Sequence, residues 1–265
     1  MDLPSQIRTA LTTTHSLPPP STAWLQALLS SQRHPPPPLP TLVATARARL
    51  LAADLTTPGL LDPAAAAPSS CLPAVAPSVA EARLPRDAVV QVLDVENLAR
   101  SRWDQVEELE AIERGEQTRG REVVRLPPPG SEEGEDDDRG GAAPTQQQQP
   151  RGPAAAATAA AATTTGAGSA GKPAGKNATH RVVLQDCKGQ KVFGLELRRL
   201  DRFGVGETVI GEKIVLKAGT VVARGVVLLE PATCKLLGGK VEAWQKSWVE
   251  GRLARLREAV GADRR

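Results

Sequence analysis

The histidines and cysteines, the side chains most diagnostic of acid–base, nucleophilic or metal chemistry, are few: His15, His34 and His180, and Cys71, Cys187 and Cys234. The histidines fall at helix ends or in loops, with no Cys or carboxylate at metal-ligand spacing. The cysteines are odd in number and far apart, with no C-x-x-C pair. This argues against a zinc ribbon or a disulfide framework and suits a reducing compartment. Gly204-Val-Gly206-Glu lacks the G-K-[ST] ending of a phosphate loop, and Asp136, Asp137 and Asp138 read as a solvated acidic run rather than a cation site. Neither a nucleophile elbow nor a dinucleotide motif is present. The residues therefore point away from an enzyme, and no cofactor or metal is expected.

Binding chemistry is better represented. Lys188, Lys191, Phe193, Arg198 and Arg199 cluster in one stretch and are the candidate contacts to DNA. Basic side chains give salt-sensitive backbone contact, while stacking needs aromatic rings on a sheet face. Aromatic residues make up only 2% of the chain, with no Tyr. Phe193 reads as a core residue as readily as a platform, and Phe203 sits near a turn. Tight autonomous single-strand binding is therefore disfavoured against partner binding. The net charge of +3 is only mildly basic, and the Arg-rich C-terminus reads as solvated.

The elements that must position these residues follow from periodicity and punctuation. Ser5 to Leu17 predicts a helix ended by Pro18. Ser21 caps a second, with Trp24 as core anchor beside Leu25 and Leu28. Thr41 is expected to cap a third, carrying Leu42, Val43, Ala46, Leu50 and Leu51. Asp62 to Pro85 shows no periodicity and reads as a connector. Ala88 to Val95 is the first strand, and Asn97 or Ser101 caps a short helix with Trp103, Val106, Leu109 and Ile112 on one face. Cys187-Lys-Gly189 turns a hairpin between residues 181–186 and 190–197. Short strands follow at 213–216, 225–230 and 234–237, then one terminal helix over 240–260. The strands with glycine bends fit a small closed barrel.

Between Glu113 and Thr179 the composition changes to an acidic block, a Gln run and an Ala/Thr/Gly tract. Such a stretch cannot bury enough apolar surface to offset ordering entropy, so it is expected to be disordered. A lone strand upstream of it has nothing to pair with, so the predicted organisation is one β domain interrupted after its first strand. The expected domains are a helical bundle at 1–60, a connector at 61–87 and a barrel at 88–262 with an insertion at 114–178. No secretory leader or run of about 18 apolar residues is seen, so an intracellular protein without a membrane partner is expected.

The order of parts resembles the RecQ-mediated genome instability protein family, the Rmi-type subunits of the RecQ helicase–topoisomerase III complex, in its short fungal form. The residues that carry the resemblance are Trp24-Leu25, Val92-Leu-Asp-Val-Glu96, Gly120-Arg-Glu-Val-Val-Arg125, Val183-Leu-Gln-Asp-Cys-Lys-Gly189, Gly194-Leu-Glu-Leu197 and the run from Gly225 to Val241. It implies an α+β fold: an N-terminal three-helix bundle, an OB-fold β-barrel with a long insertion after its first strand, and a C-terminal helix. It also implies a nuclear, non-catalytic partner of a type IA topoisomerase III and a RecQ-family helicase, with weak or indirect contact to single-stranded or junction DNA. The inserted loop of the family reaches the topoisomerase gate. The matching segment here is Gly120, Arg121, Glu122, Val123, Val124, Arg125 and Leu126, in which apolar docking groups sit among charges.

Overall fold

The computed structural model describes residues 2–32, 37–64, 66, 71–73, 76–116 and 178–262. Three helices open the chain: α1 (Leu3–Thr13), α2 (Thr22–Ser30) and α3 (Leu39–Ala52). Ser21 caps α2 as its type suggests, its hydroxyl accepting from the Trp24 N–H at 3.1 Å. Thr41 does not cap α3. That helix begins earlier, with Pro38 at the N-cap and Leu39-Pro40 in the first turn, where a missing proline N–H costs nothing. Ile7, Leu11, Leu25, Leu28, Leu42, Ala46 and Leu50 meet in the bundle core, each buried leucine contributing about 1.5–3 kcal/mol. Trp24 lies at the edge of this core, only partly buried.

The described strands are β1 (Ala82–Arg83), β2 (Ala88–Asn97), β3 (His180–Gln185), β4 (Lys191–Glu196), β5 (Lys213–Leu216), β6 (Val221–Ala223), β7 (Val226–Leu229) and β8 (Cys234–Gly238). They form one sheet in the order β1-β6-β7-β4-β3-β2-β5-β8, antiparallel except for the β4–β7 pair. β1 lies within the stretch read as a connector; two residues are too short to show a period. No ladder among the described residues joins β5 to β6. The covalent turn at 217–220 does, tightened by Thr220 N–H to the Lys217 carbonyl at 3.1 Å. The sheet therefore curls on itself around one core that takes residues from all its long strands.

β2 spans both halves of the curl. Residues 88–91 pair with β5 and 91–97 with β3, with a register shift between Val92 and Asp94. That bulge changes the parity of the strand. Before it, Val90 and Val92 point into the barrel core while Val89 joins the helical core. After it, Val95 is inward and Asp94 and Glu96 are outward. The helical bundle thus packs on the outside of β2 and β5. The contact is polar as well as apolar: Gln91 Oε1 accepts from the Leu55 N–H at 3.0 Å, and Lys213 Nζ donates to the Ala53 carbonyl at 2.6 Å. At Gly239 (φ +96°) a side-chain carbon would fall 2.5 Å from the Leu51 carbonyl oxygen, so glycine permits the approach.

Past β2 comes α4 (Arg102–Glu113), and after β8 come α5 (Glu242–Glu250) and α6 (Arg252–Ala262). The predicted single terminal helix is therefore two, separated at Gly251. Their apolar groups face different neighbours. Trp248 enters the barrel core, whereas Leu253 packs on Val106 and Leu109 of α4. Among the described residues no helix is long and apolar enough to cross a membrane.

Candidate functional site

Two regions qualify as candidate sites, and the first is the root of the insertion. β2 and β3 are hydrogen-bonded neighbours, Asn97 opposite His180, and the Leu98 N–H reaches the Thr179 carbonyl at 2.9 Å. The chain leaves and re-enters at adjacent points of the barrel, with α4 on the outgoing side. Ser101, rather than Asn97, caps that helix: its hydroxyl accepts from the Asp104 N–H at 3.0 Å. Asn97 instead folds its side chain onto the Ala99 N–H at 2.8 Å. Buried Gln105 ties the helix start to the Asn97 and Arg100 carbonyls, each at 3.2 Å, and accepts from Arg252 at 3.1 Å. Trp103, placed by spacing on the apolar face, is 48% exposed. Gly120, Arg121, Glu122, Val123, Val124, Arg125 and Leu126 lie outside the described residues, as do His34 and Asp136 to Asp138.

The second region is the outer face of β3, β4 and β7. Opposite pairing sets Val183 beside Phe193 and Phe193 beside Val226, with Arg181 beside Leu195 and Leu195 beside Leu228. The alternation that sends Val182, Leu184, Gly194, Val227 and Leu229 inward turns these residues outward. Phe193 is 48% exposed, and the Arg181 guanidinium lies 5.2 Å from its ring centroid. Phe203, near a turn in sequence, is fully buried in the barrel core, so of the two readings open for Phe193 the exposed one holds. Lys191 shares the outer face with Phe193, and Lys188 sits exposed at the hairpin turn. Arg198 pairs with Glu230 at 3.6 Å at the end of the strand. A groove of about 300 Å³ beside Phe193 is lined by Leu72 and Pro73 together with Lys191 and Val226. A planar ring under a guanidinium, next to an ammonium, can stack a base or dock an apolar side chain.

Arg199 does not belong to that face. It closes a buried cluster that loop assignment missed: His180 Nδ1 lies 2.7 Å from Glu196 Oε2, and Arg199 donates to Glu196 at 3.1 Å and to the Phe203 carbonyl at 2.7 Å. Burial alone would raise the Glu196 carboxyl. Hydrogen bonds from His180 and the Leu200 N–H, with the His180 and Arg199 charges, outweigh it and hold the group below its ordinary range. Gly204, at φ +129°, lies so close that a side-chain carbon there would sit 2.5 Å from the His180 ring. His180 shares strand parity with Val182 and Leu184, and that signal could have placed it inside. The cluster braces the incoming root of the insertion against the 198–211 loop. Among the described residues no group of three or more His, Cys, Asp or Glu side chains is placed to hold a metal ion.

Against protein families, residues 11–58 match the model described as "RMI1, N-terminal helical domain", and residues 68–252 match "RMI1, N-terminal OB-fold domain". The second match alone covers more than half of the chain. The chain belongs to the RMI1 family. It is also similar to RecQ-mediated genome instability protein 1 of Schizosaccharomyces pombe, 36% identical over 73 residues, which is 28% of this chain and 30% of that protein. The chain thus spans under a third of the curated relative it matches. The helical match ends inside the described bundle region and the OB match takes in every strand from β1 to β8. The resemblance read from residue order is therefore the family that the comparison returns.

Proposed function

We propose that this chain is a non-catalytic structural subunit of a nuclear RecQ helicase–topoisomerase III complex. It binds a type IA topoisomerase III and promotes double Holliday junction dissolution and decatenation, which limits crossovers. The observation that carries this reading is the family match across both folded regions. A supporting one is the seat of the insertion between two paired strands, with α4 held by α6 through Val106, Leu109 and Leu253. The proposed contact is Gly120 to Leu126. There Val123, Val124 and Leu126 supply apolar anchors, and Arg121, Glu122 and Arg125 supply pairing charges.

Pull-down with purified topoisomerase III tests it, comparing the wild-type chain with a Val123→Asp, Val124→Asp double variant. Capture by wild type and loss in the variant is the expected result. Capture by both moves the contact off the inserted segment, and capture by neither rejects the reading. A second reading, direct single-strand DNA binding, is favoured by exposed Phe193 beneath Arg181. Fluorescence anisotropy with a labelled oligonucleotide would then show weak, steeply salt-dependent affinity that Phe193→Ala lowers.

A further inference from the structure

Cys71 and Cys187 stand 116 positions apart in sequence, yet their sulfur atoms are 3.4 Å apart. Both side chains are partly exposed, whereas Cys234 is buried in the barrel core. The approach is fixed by backbone ties on each side. Asp186, 1% exposed, accepts from the Leu72 N–H at 3.0 Å through one carboxylate oxygen. Through the other it accepts from the Lys188 and Gln190 N–H groups, each at 2.9 Å. One carboxylate therefore pins the residue after Cys71 to the turn that holds Cys187. Leu72 is anchored in the barrel core, and Cys187 packs against the helical core.

We propose that Cys71 and Cys187 are a redox modification site that closes to an intramolecular disulfide when a small-molecule disulfide such as oxidised glutathione is present. One cysteine, as thiolate, attacks a glutathione sulfur. The glutathione S–S bond breaks, one glutathione leaves as thiolate, and a mixed disulfide remains. The second cysteine then loses its proton, attacks the protein sulfur of that mixed disulfide, and expels the other glutathione. Two protein thiols are oxidised, one glutathione disulfide is reduced to two thiols, and the two protons pass to the leaving thiolates. Bonded sulfurs sit about 2.0 Å apart, so side-chain rotation over roughly 1.4 Å is needed. Burial, then contact with Cys71, pushes the Cys187 thiol up to about 12, which keeps Cys187 a thiol at rest and slows closure at neutral pH. Closure ties Leu72 and Pro73 to the hairpin that carries Lys191 and Phe193, all of which line the same groove.

The full chain is incubated at pH 8 in glutathione buffers of rising oxidised fraction, then unfolded in guanidinium for thiol titration and mapped without reduction. Titratable thiols are expected to fall from three to one per chain, with a single linked peptide joining Cys71 to Cys187 and a rise in Tm. Cys234→Ser should still close the bond. Cys71→Ser and Cys187→Ser should each leave a stable glutathione adduct on the surviving partner. Three thiols remaining, persistent glutathione adducts on the wild-type chain, or a link that includes Cys234 would each overturn the proposal. Mapping the wild-type protein decides the matter even where a variant folds poorly, and no outcome depends on topoisomerase binding.

Discussion

Replacing Glu212 with Gln should stabilise the protein at pH 8 and leave it nearly unchanged at pH 4. Glu212 immediately precedes β5 and is 8% exposed. Burial raises its carboxyl from 4.5 to about 7, against a hydrogen bond from Val209 and the Arg202 charge, which both pull it down. Below pH 4.5 the folded and unfolded chains both hold the proton, and the group carries no penalty. As pH rises the unfolded chain releases the proton first, so stability is lost up to the folded value near 7. At about 1.4 kcal/mol per pH unit the loss reaches roughly 3 kcal/mol. Glutamine keeps the size and neutrality of the protonated acid and titrates nowhere in the window. At roughly 2–4 °C per kcal/mol for a folded unit of this size, the variant should melt about 6–12 °C higher at pH 8. Thermal melts by circular dichroism in matched ionic strength from pH 4 to 8 give the difference curve. Lys213, pushed down to about 8 by burial against the pull of Asp54, begins to titrate at the upper end in both proteins and cancels. A flat difference across the window, or a variant less stable at pH 8, would refute the reasoning.

Three further outcomes follow from other contacts of the fold. Gln91→Leu leaves the Leu55 N–H without its acceptor and should cost about 1–3 kcal/mol in urea unfolding, with faster hydrogen exchange at Leu55. Glu196→Gln breaks the buried cluster with His180 and Arg199 and should cost about 3–5 kcal/mol at pH 7. Because that carboxyl is held below its ordinary value, its contribution is full above pH 4.5 and is lost as pH falls, so the two proteins should converge in acid. Phe193→Ala removes a half-exposed ring and should change stability by less than about 1 kcal/mol; a Tm drop of ten degrees would make Phe193 a core residue.

Much of the scaffold was legible because it rests on local signals. The Ser21 and Ser101 caps, the glycine at the 187–189 turn and the apolar alternation of β3 and β7 all act over a few residues. What sequence hid depends on distant partners. Nothing local shows that Phe203 meets the His180 ring edge-on at 6.3 Å while Phe193 stays outside. Nor does spacing bring Cys71 to Cys187, because Asp186 makes that approach from 114 positions away. The split of the terminal segment into α5 and α6 is similar. Its apolar residues look like one stripe, but Trp248 and Leu253 answer to different cores.

The bulge at Leu93 links these pieces into one design. Without its parity change, Asp94 and Glu96 would face the barrel interior and lack charged partners. With it, Asp94 accepts from the Trp248 indole N–H at 2.6 Å, and Glu96 takes Arg102 at 3.1 Å and also Arg181. The outer side of β2 is thereby divided, its first half covered by the helical bundle and its second half tied to α4, α5 and β3. The Glu96 ties hold α4 and β3, the elements that flank the insertion, and the Asp94 tie holds α5, which leads into α6 packed on α4. A segment that springs from a braced root needs less ordering of its surroundings when it engages a partner, and that lowers the entropic cost of binding. If the proposed topoisomerase contact at Gly120 to Leu126 holds, a substitution at Asp94 or Glu96 should weaken topoisomerase capture in the pull-down by loosening the root, and Trp248→Phe should do so more mildly.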